Sequence, residues 1–477
     1  MLSNPDLAPV AMEKRTWSWW DIAALWIAMS ICIPTYTMAS GLIAQGMDWK
    51  EAVGTVFLGN LIVLVPMALN AYAGTAYGIP FPVLVRSSFG VYGSNIPALM
   101  RALVACGWFG IQSWIGGNAL YMLGATVFGY DPAARTMLPG LGISAGQLAA
   151  FLLFWGLNVA VIWRGIESIR WMEKLSAPFL LCVSLGLLVW AWHAAHGFGP
   201  ILSQRSSFHS TSAFLAVFAP SLTAMVGFWA TLSLNIPDFS RFARSQRDQV
   251  VGQAVGLPGT MALFAFIGVA VTSATTVIFG RAIWDPVELL TRIDRPAAAL
   301  GGLVIVCLST LAVNVAANVV SPANDFANLA PRWINFRRGA LITAGIGILI
   351  QPWRLVQDPS GYIFTWLLGY SALLGPIGGI MIADFFVLKK RRLVVADLYR
   401  EQGAYTYSKG FSLTALAVLV LSVLPNLPGF LVQIHVLPKN RVPAFFLLVY
   451  NYAWFAGFAV AFLLHLLVRQ TVHRIRP

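Results

Sequence analysis

Charge is scarce in this chain. Only 10% of its 477 residues are Asp, Glu, Lys or Arg and 58% are hydrophobic, where a soluble domain carries about 25% charged residues. A soluble globular fold is therefore excluded. Cysteine is scarce as well: Cys32, Cys106, Cys182 and Cys307 each lie inside an apolar segment, and none has the short paired spacing of a metal site. They read as small buried hydrophobes, with no disulfide and no metal centre expected. The histidines, His193, His196, His209, His435, His465 and His473, form no cluster at depth. Without a nucleophile, base or metal constellation in the apolar segments, neither an enzyme nor a bound cofactor is expected. The residues ahead of the first apolar segment, with Asp6, Glu13, Lys14 and Arg15, lack the layout of a cleaved signal peptide.

What the chain has in excess is apolar length. Runs of about 18 or more apolar residues recur along it, the signature of a polytopic helical membrane protein. The short alternating segments of a β-barrel are missing. About twelve spans are predicted, at 18–45, 51–73, 96–124, 145–166, 168–194, 213–237, 253–279, 297–320, 338–353, 360–386, 411–433 and 444–468. With the N-terminus inside, 22 of the 31 Lys and Arg residues fall on the inner side, Arg101 and Arg476 among them, and 9 on the outer side, Arg135 and Arg295 among them. That bias sets the orientation, places both termini in the cytoplasm and assigns the chain to the inner (plasma) membrane. The net charge of +13 is thereby read as topology, with no nucleic-acid partner.

The central stretch is Trp108-Phe109-Gly110-Ile111-Gln112. One helical turn is about 3.6 residues, so Trp108 and Gln112 share a face. The indole offers a plate for a planar ring, and the carboxamide both donates and accepts at that ring's edge. The alternative is packing and bonding between neighbouring helices. Asn314 and Asn318 repeat the spacing in span eight, before a polar run, Ser321-Pro322-Ala323-Asn324-Asp325, that is expected to end the helix. Trp114 and Asn118 form a second Trp/amide pair, rotated away from Trp108 and read as packing. Spans one and six carry interruptions, at Ala28–Pro34 and at Val226-Gly227-Phe228-Trp229. Broken helices five spans apart point to an inverted-repeat transporter with a midplane site.

No Lys, Arg, Glu or His stands near the middle of a span, and Asp21, Asp238, Asp325 and Asp384 lie near span ends. An intramembrane charge marks a charged substrate or a proton relay. A site of Trp, Gln and Asn suits instead a neutral, planar, hydrogen-bonding heterocycle.

Four stretches carry a family resemblance: Asn4-Pro5-Asp6-Leu7-Ala8-Pro9; Gly107-Trp108-Phe109-Gly110-Ile111-Gln112-Ser113-Trp114; Ala316-Ala317-Asn318 followed by Ser321-Pro322; and Gly379-Ile380-Met381-Ile382-Ala383-Asp384-Phe385 with Asp397-Leu398-Tyr399. From about Asp6 to Tyr407 the chain resembles a bacterial member of the nucleobase–cation symporter family type 1, which includes hydantoin, allantoin, uracil and cytosine permeases. The resemblance implies an all-α, leucine-transporter-like fold. Two inverted five-helix repeats, 18–195 and 213–386, would be followed by two peripheral helices, 411–468, with cytoplasmic segments 1–17, 387–410 and 469–477. It implies alternating access, spans one, two, six and seven moving against spans three, four, eight and nine. It implies that Trp108 stacks on one face of the ring, that Trp229 approaches the other, and that Gln112 and Asn318 bond its edges. Phe228, Asn314 and Cys32 complete the expected substrate-binding set.

Two departures stand out. Cys32 occupies a position where the sodium-coupled hydantoin member has an amide. The sodium site there uses carbonyls matching Ala28 and Ile31 and two hydroxyls matching Ala312 and Val313, which have none. Ser309 or Thr310, a turn earlier, would have to compensate. Coupling to protons rather than sodium is expected, with no side chain in the spans presenting itself as the carrier. The resulting reading is a monomeric symporter, in the bilayer, for a hydantoin-, allantoin- or uracil-like heterocycle. The alternatives are a cytosine- or purine-selective permease and, remotely, a transporter-like solute sensor. The sensor would be expected to carry a soluble signalling domain, whereas about nine residues follow the last span.

Overall fold

In hydrocarbon every backbone N–H and C=O must be satisfied within the chain, which makes helices of apolar runs of this length. The computed structural model describes residues 2–132, 136–164, 166–283, 285–292, 296–355 and 365–475. Arg135, Arg295 and Arg476 of the charge bias, and residues 360–364 at the start of the expected tenth span, lie outside the described residues.

The spans are helical throughout. Span one is Trp19–Ser30 with Ile33–Ala44, span two Trp49–Tyr77, span three Asn95–Phe128, span four Ala145–Trp163, span five Ile166–Ala194 and span six Thr211–Phe228 with Ala230–Asn235. Span seven is Gln246–Phe279, span eight Pro296–Asn318 with Val320–Leu329, span nine Phe336–Leu349, and span ten Leu368–Ile382 continued by a π-helical Ala383–Leu388. Spans eleven and twelve are Leu413–Val423 with Leu427–Gln433, and Ala444–Asn451 with Ala453–Ile475. Eight helices are long and apolar enough to cross a membrane, and two bent pairs bring the number to ten among the described residues. Span nine is the short one, with 14 residues.

Span one breaks where its sequence demands. Pro34 has no N–H to return to Ser30, so the Cys32 amide turns back to the Ser30 carbonyl at 3.1 Å. The two halves of the span meet at 57°. Span six breaks at Trp229 (φ −101°, ψ 9°). Asn70 of span two braces that break, its Nδ2 donating to the Ser233 carbonyl at 2.7 Å.

The polar run after Asn318 does not end span eight. The helix breaks at Val319 and resumes as Val320–Leu329. Ser321, Asp325 and Asn328 of this half are buried against partners on other spans, which the local sequence cannot display. Asn235 Nδ2 donates to Ser321 Oγ, Arg101 Nη1 to Asp325 Oδ2 at 3.2 Å, and Asn328 Nδ2 to Asn95 Oδ1 at 2.7 Å.

Two groups of spans result. Span seven packs on spans one and two, and span two on span six; spans three, four, eight and nine pack on one another. Gly252 and Gly256 let span seven meet span one at backbone distance, the small-residue spacing of membrane helix pairs. Span twelve lies on span ten, and span eleven on both. Across the end of the bundle that holds residues 2–17 runs an N-terminal strap. Asn4 Nδ2 donates to the Ile334 carbonyl at 3.0 Å, Asp6 Oδ2 accepts from the Phe336 amide at 2.9 Å, and Arg241 Nη1 donates to the Asp6 carbonyl at 2.9 Å.

Candidate functional site

The breaks in spans one, six and eight converge with the middle of span three. Met29, Cys32, Trp108, Gln112, Phe228, Trp229, Thr231, Leu232, Val313, Ala317 and Asn318 line one small cavity there. Of the expected substrate-binding residues, Cys32, Trp108, Gln112, Phe228, Trp229 and Asn318 are in its wall. Asn314 is not. It stands one turn behind Asn318, where its Oδ1 accepts from Asn318 Nδ2 at 3.0 Å. Its own Nδ2 is shared among Ser113 Oγ, Asn158 Oδ1 and the Phe109 carbonyl at 3.1–3.3 Å. Asn314 is thus a positioning residue that fixes the Asn318 amide.

Aromatic edges build the rest of the wall. Trp108 meets Phe228 at 5.2 Å and 79°, and Phe228 meets Trp229 at 4.9 Å and 88°. Trp26, fully buried, backs Trp229 at 5.1 Å and 86°. These T-shaped contacts hold the rings without using their hydrogen-bonding groups. Among the described residues, two lining groups have no hydrogen-bond partner: the Gln112 Oε1 acceptor and the Trp229 Nε1 donor. A buried polar atom left unpaired costs about 1–3 kcal/mol. Here both kinds face one volume. That volume is about 20 Å³, room for a single water at most, so a ring enters only when the two groups of spans separate.

The candidate cation site is less complete. Because the Cys32 amide bonds Ser30, the Ala28 carbonyl is released from the helical ladder next to Ile31. Across from it, Ala312 and Val313 are buried and carry no hydroxyl, and Val313 lines the central cavity instead. Ser309 Oγ donates to the Val306 carbonyl of its own helix at 3.0 Å. Thr310 Oγ1 is buried with no partner among the described residues.

Sequence reasoning missed Met29, Thr231, Leu232 and Ala317, all within three residues of a break or of a predicted site residue. It also gave His465 no partner, and His465 is fully buried with Nε2 3.6 Å from Asp384 Oδ1, beside the ion pair of Lys389 with Asp384. The two helices are eighty residues apart in sequence, so no local pattern announces the pair. Trp114, as expected, packs on Phe151 and Trp353 at 6.3 and 5.8 Å, outside the cavity.

Broken helices around a midplane cavity, in a bundle of this topology, define a membrane transporter. The family model for permeases for cytosine/purines, uracil, thiamine and allantoin matches residues 9–457. A purine–uracil permease of Arabidopsis thaliana is 47% identical over 99% of this chain and 78% of its own length. An allantoin permease of Bacillus subtilis is 42% identical over 98% of this chain and 93% of its own. Among solved structures, Mhp1, a nucleobase–cation-symport-1 family transporter in a closed conformation with bromovinylhydantoin bound, superposes with a TM-score of 0.82. It is 26% identical over 100% of this chain and 97% of that one. The chain belongs to the nucleobase–cation symporter family, a family of cation-coupled permeases and not of enzymes, with the leucine-transporter-like 5+5 fold.

Proposed function

We propose that the protein imports a small, neutral, planar heterocycle of the hydantoin, allantoin or uracil type by alternating access. The observation that carries this reading is the pairing of Gln112 Oε1 with Trp229 Nε1, an acceptor and a donor without partners among the described residues, in one aromatic-walled cavity. A solute offering an N–H and a C=O on one ring answers both, and Asn318 adds a third polar contact. Trp108 then offers its indole face to the ring. The names of the relatives, an allantoin permease and a purine–uracil permease, support the same class. A cytosine- or purine-selective permease is the alternative, because the first of these relatives carries purines in its name.

The coupling ion in this reading is the proton. At Ala312 and Val313 the side chains have no oxygen to offer sodium and the Ser309 hydroxyl is spent on its own helix, which leaves the Thr310 hydroxyl, a turn earlier, as the one side-chain oxygen of that set without a partner among the described residues. The protein works as a monomer in the inner membrane, with the strap face and both termini in the cytoplasm. The repeats 18–195 and 213–386 form the moving machinery, with 411–468 peripheral.

Tryptophan fluorescence of the purified protein, titrated with hydantoin, allantoin, uracil, cytosine and adenine, tests the site. Quenching by a ring of the first three types, lost in Asn318→Ala, is expected. Undiminished quenching in that variant removes Asn318 from the site, and quenching by cytosine or adenine alone selects the alternative.

A further inference from the structure

A second, larger cavity of about 680 Å³ lies on the cytoplasmic side of the central site, and the established family function assigns it no role. Its walls are the end of span six at Arg241 and Phe242, the lower half of span eight at Asn324, the start of span nine at Asn335–Arg337, and the N-terminal strap as its floor. Its size is within the range of about 300–1,000 Å³ of small-molecule sites. One wall residue is unlike the others. Asn324 is 1% exposed, and neither its Nδ2 nor its Oδ1 has a hydrogen-bond partner among the described residues. A whole carboxamide buried without partners is costly, which marks a group kept for a ligand.

The position of Asn324 says which ligand. It lies six residues beyond Asn318 on the same span, on the far side of the break at Val319. Midway between them Ser321 accepts from Asn235 Nδ2, and that bond joins span six to span eight. Asn318, the Ser321–Asn235 bridge and Asn324 therefore form a descending series of amide and hydroxyl groups between the moving spans and the fixed ones. The Asn324 carboxamide, a donor beside an acceptor, is complementary to the C=O/N–H edge of a lactam or imide ring. The cations around it, Lys14, Arg241 and Arg337, tolerate a neutral ring rich in carbonyls.

We infer that this cavity is a second, weaker binding site for the transported heterocycle, an exit station read by Asn324 and reached by opening the Asn235–Ser321 bridge. The inference rests on the proposed function for its ligand class, and the two are separable by experiment. Equilibrium dialysis of radiolabelled allantoin and uracil against the purified full-length protein is expected to resolve two sites, one tight and one at least tenfold weaker. Asn318→Ala removes the tight one. Asn324→Ala removes the weak one, with a thermal-unfolding midpoint matching the parent's as evidence that the variant is folded. If Asn324→Ala lowers that midpoint, Asn324→Asp, which keeps the size and loses the donor, provides the same reading. A single site in the parent protein, or a weak site that survives both changes at Asn324, overturns the exit station. A tight site that survives Asn318→Ala overturns the central site alone and leaves the Asn324 result standing.

Discussion

Trp108 and Gln112 were legible as a pair because both facts that unite them are local: a helix, and a spacing of four. Asn314 and Asn318 have the same spacing and opposite fates. Asn318 faces the cavity while Asn314 is bound to Ser113 and Asn158 of spans three and four. Nothing within a turn of Asn314 names those partners, more than 150 residues away, so the sequence could not separate ligand-facing from supporting amide. At the proposed cation site the informative residues are the ones whose side chains have no oxygen. A hard cation is held by several oxygen ligands, and Ala312 and Val313 supply none from their side chains. Restoring hydroxyls in Ala312→Ser with Val313→Thr, opposite the freed Ala28 carbonyl, is expected to make substrate binding sodium-responsive. The gain should be about tenfold in apparent affinity at saturating sodium, or 1.4 kcal/mol. Fluorescence titration with and without sodium checks it, and an unchanged sodium response in the double variant removes these positions from the ion site.

In span one the interruption has a covalent cause that the sequence displays, although Pro66, Pro220, Pro258 and Pro376 sit inside helices that continue through them. Pro34 withdraws a donor, and the break falls two residues before it. The break at Val319 has no such cause in the chain. It sits where Asn318 and Ser321 are drawn to different partners, and only the packed structure reveals it. Helix pairing was equally hidden. Gly252 and Gly256 read as two of 42 glycines, yet a Cβ at Gly256 would lie 2.7 Å from the Ala23 carbonyl oxygen and 2.8 Å from Trp26 Cβ. Gly259, less than a turn further on, has nothing within 4 Å. Gly256→Val is therefore expected to force span one off span seven at a cost of about 1–3 kcal/mol, whereas Gly259→Val leaves stability within about 0.5 kcal/mol, as surface changes do. Thermal unfolding in detergent compares the two. Because Trp26 backs Trp229, the first variant should also weaken substrate quenching. Equal midpoints for both variants would mean that the span one–span seven contact is not the close one described.

At the scale of the molecule, the positive charges read as orientation signals have a second use. Arg86, one of them, is fully buried in the short helix Phe81–Phe89 that follows span two. Its Nη1 donates to the Leu398 carbonyl at 2.9 Å, its Nη2 to the Leu2 carbonyl at 2.8 Å, and Nε and Nη2 to Asn328 Oδ1 at 3.1 and 2.6 Å. The ring of Tyr399 lies 5.5 Å from the guanidinium. Burial lowers its pKa to about 10, so at neutral pH a full positive charge is held by carbonyl and amide dipoles. One side chain thus joins the helix after span two, the end of span eight, the 387–410 segment and the N-terminal strap, and so bridges the two groups of spans that alternating access must separate. Lysine cannot replace this fork, since a single ammonium has three donors and no plane. Arg86→Met leaves three buried acceptors unpaired, about 1–3 kcal/mol for each that water does not reach. The strap and the 395–399 turn are then expected to exchange their amide hydrogens faster, by one to two orders of magnitude, while spans three and eight keep their protection. Arg86→Lys should fall between. Hydrogen–deuterium exchange with mass spectrometry reads both segments at once. Faster exchange in the turn alone would assign the strap to Asn4, Asp6 and Arg241, and unchanged exchange in both would show that the face closes without Arg86.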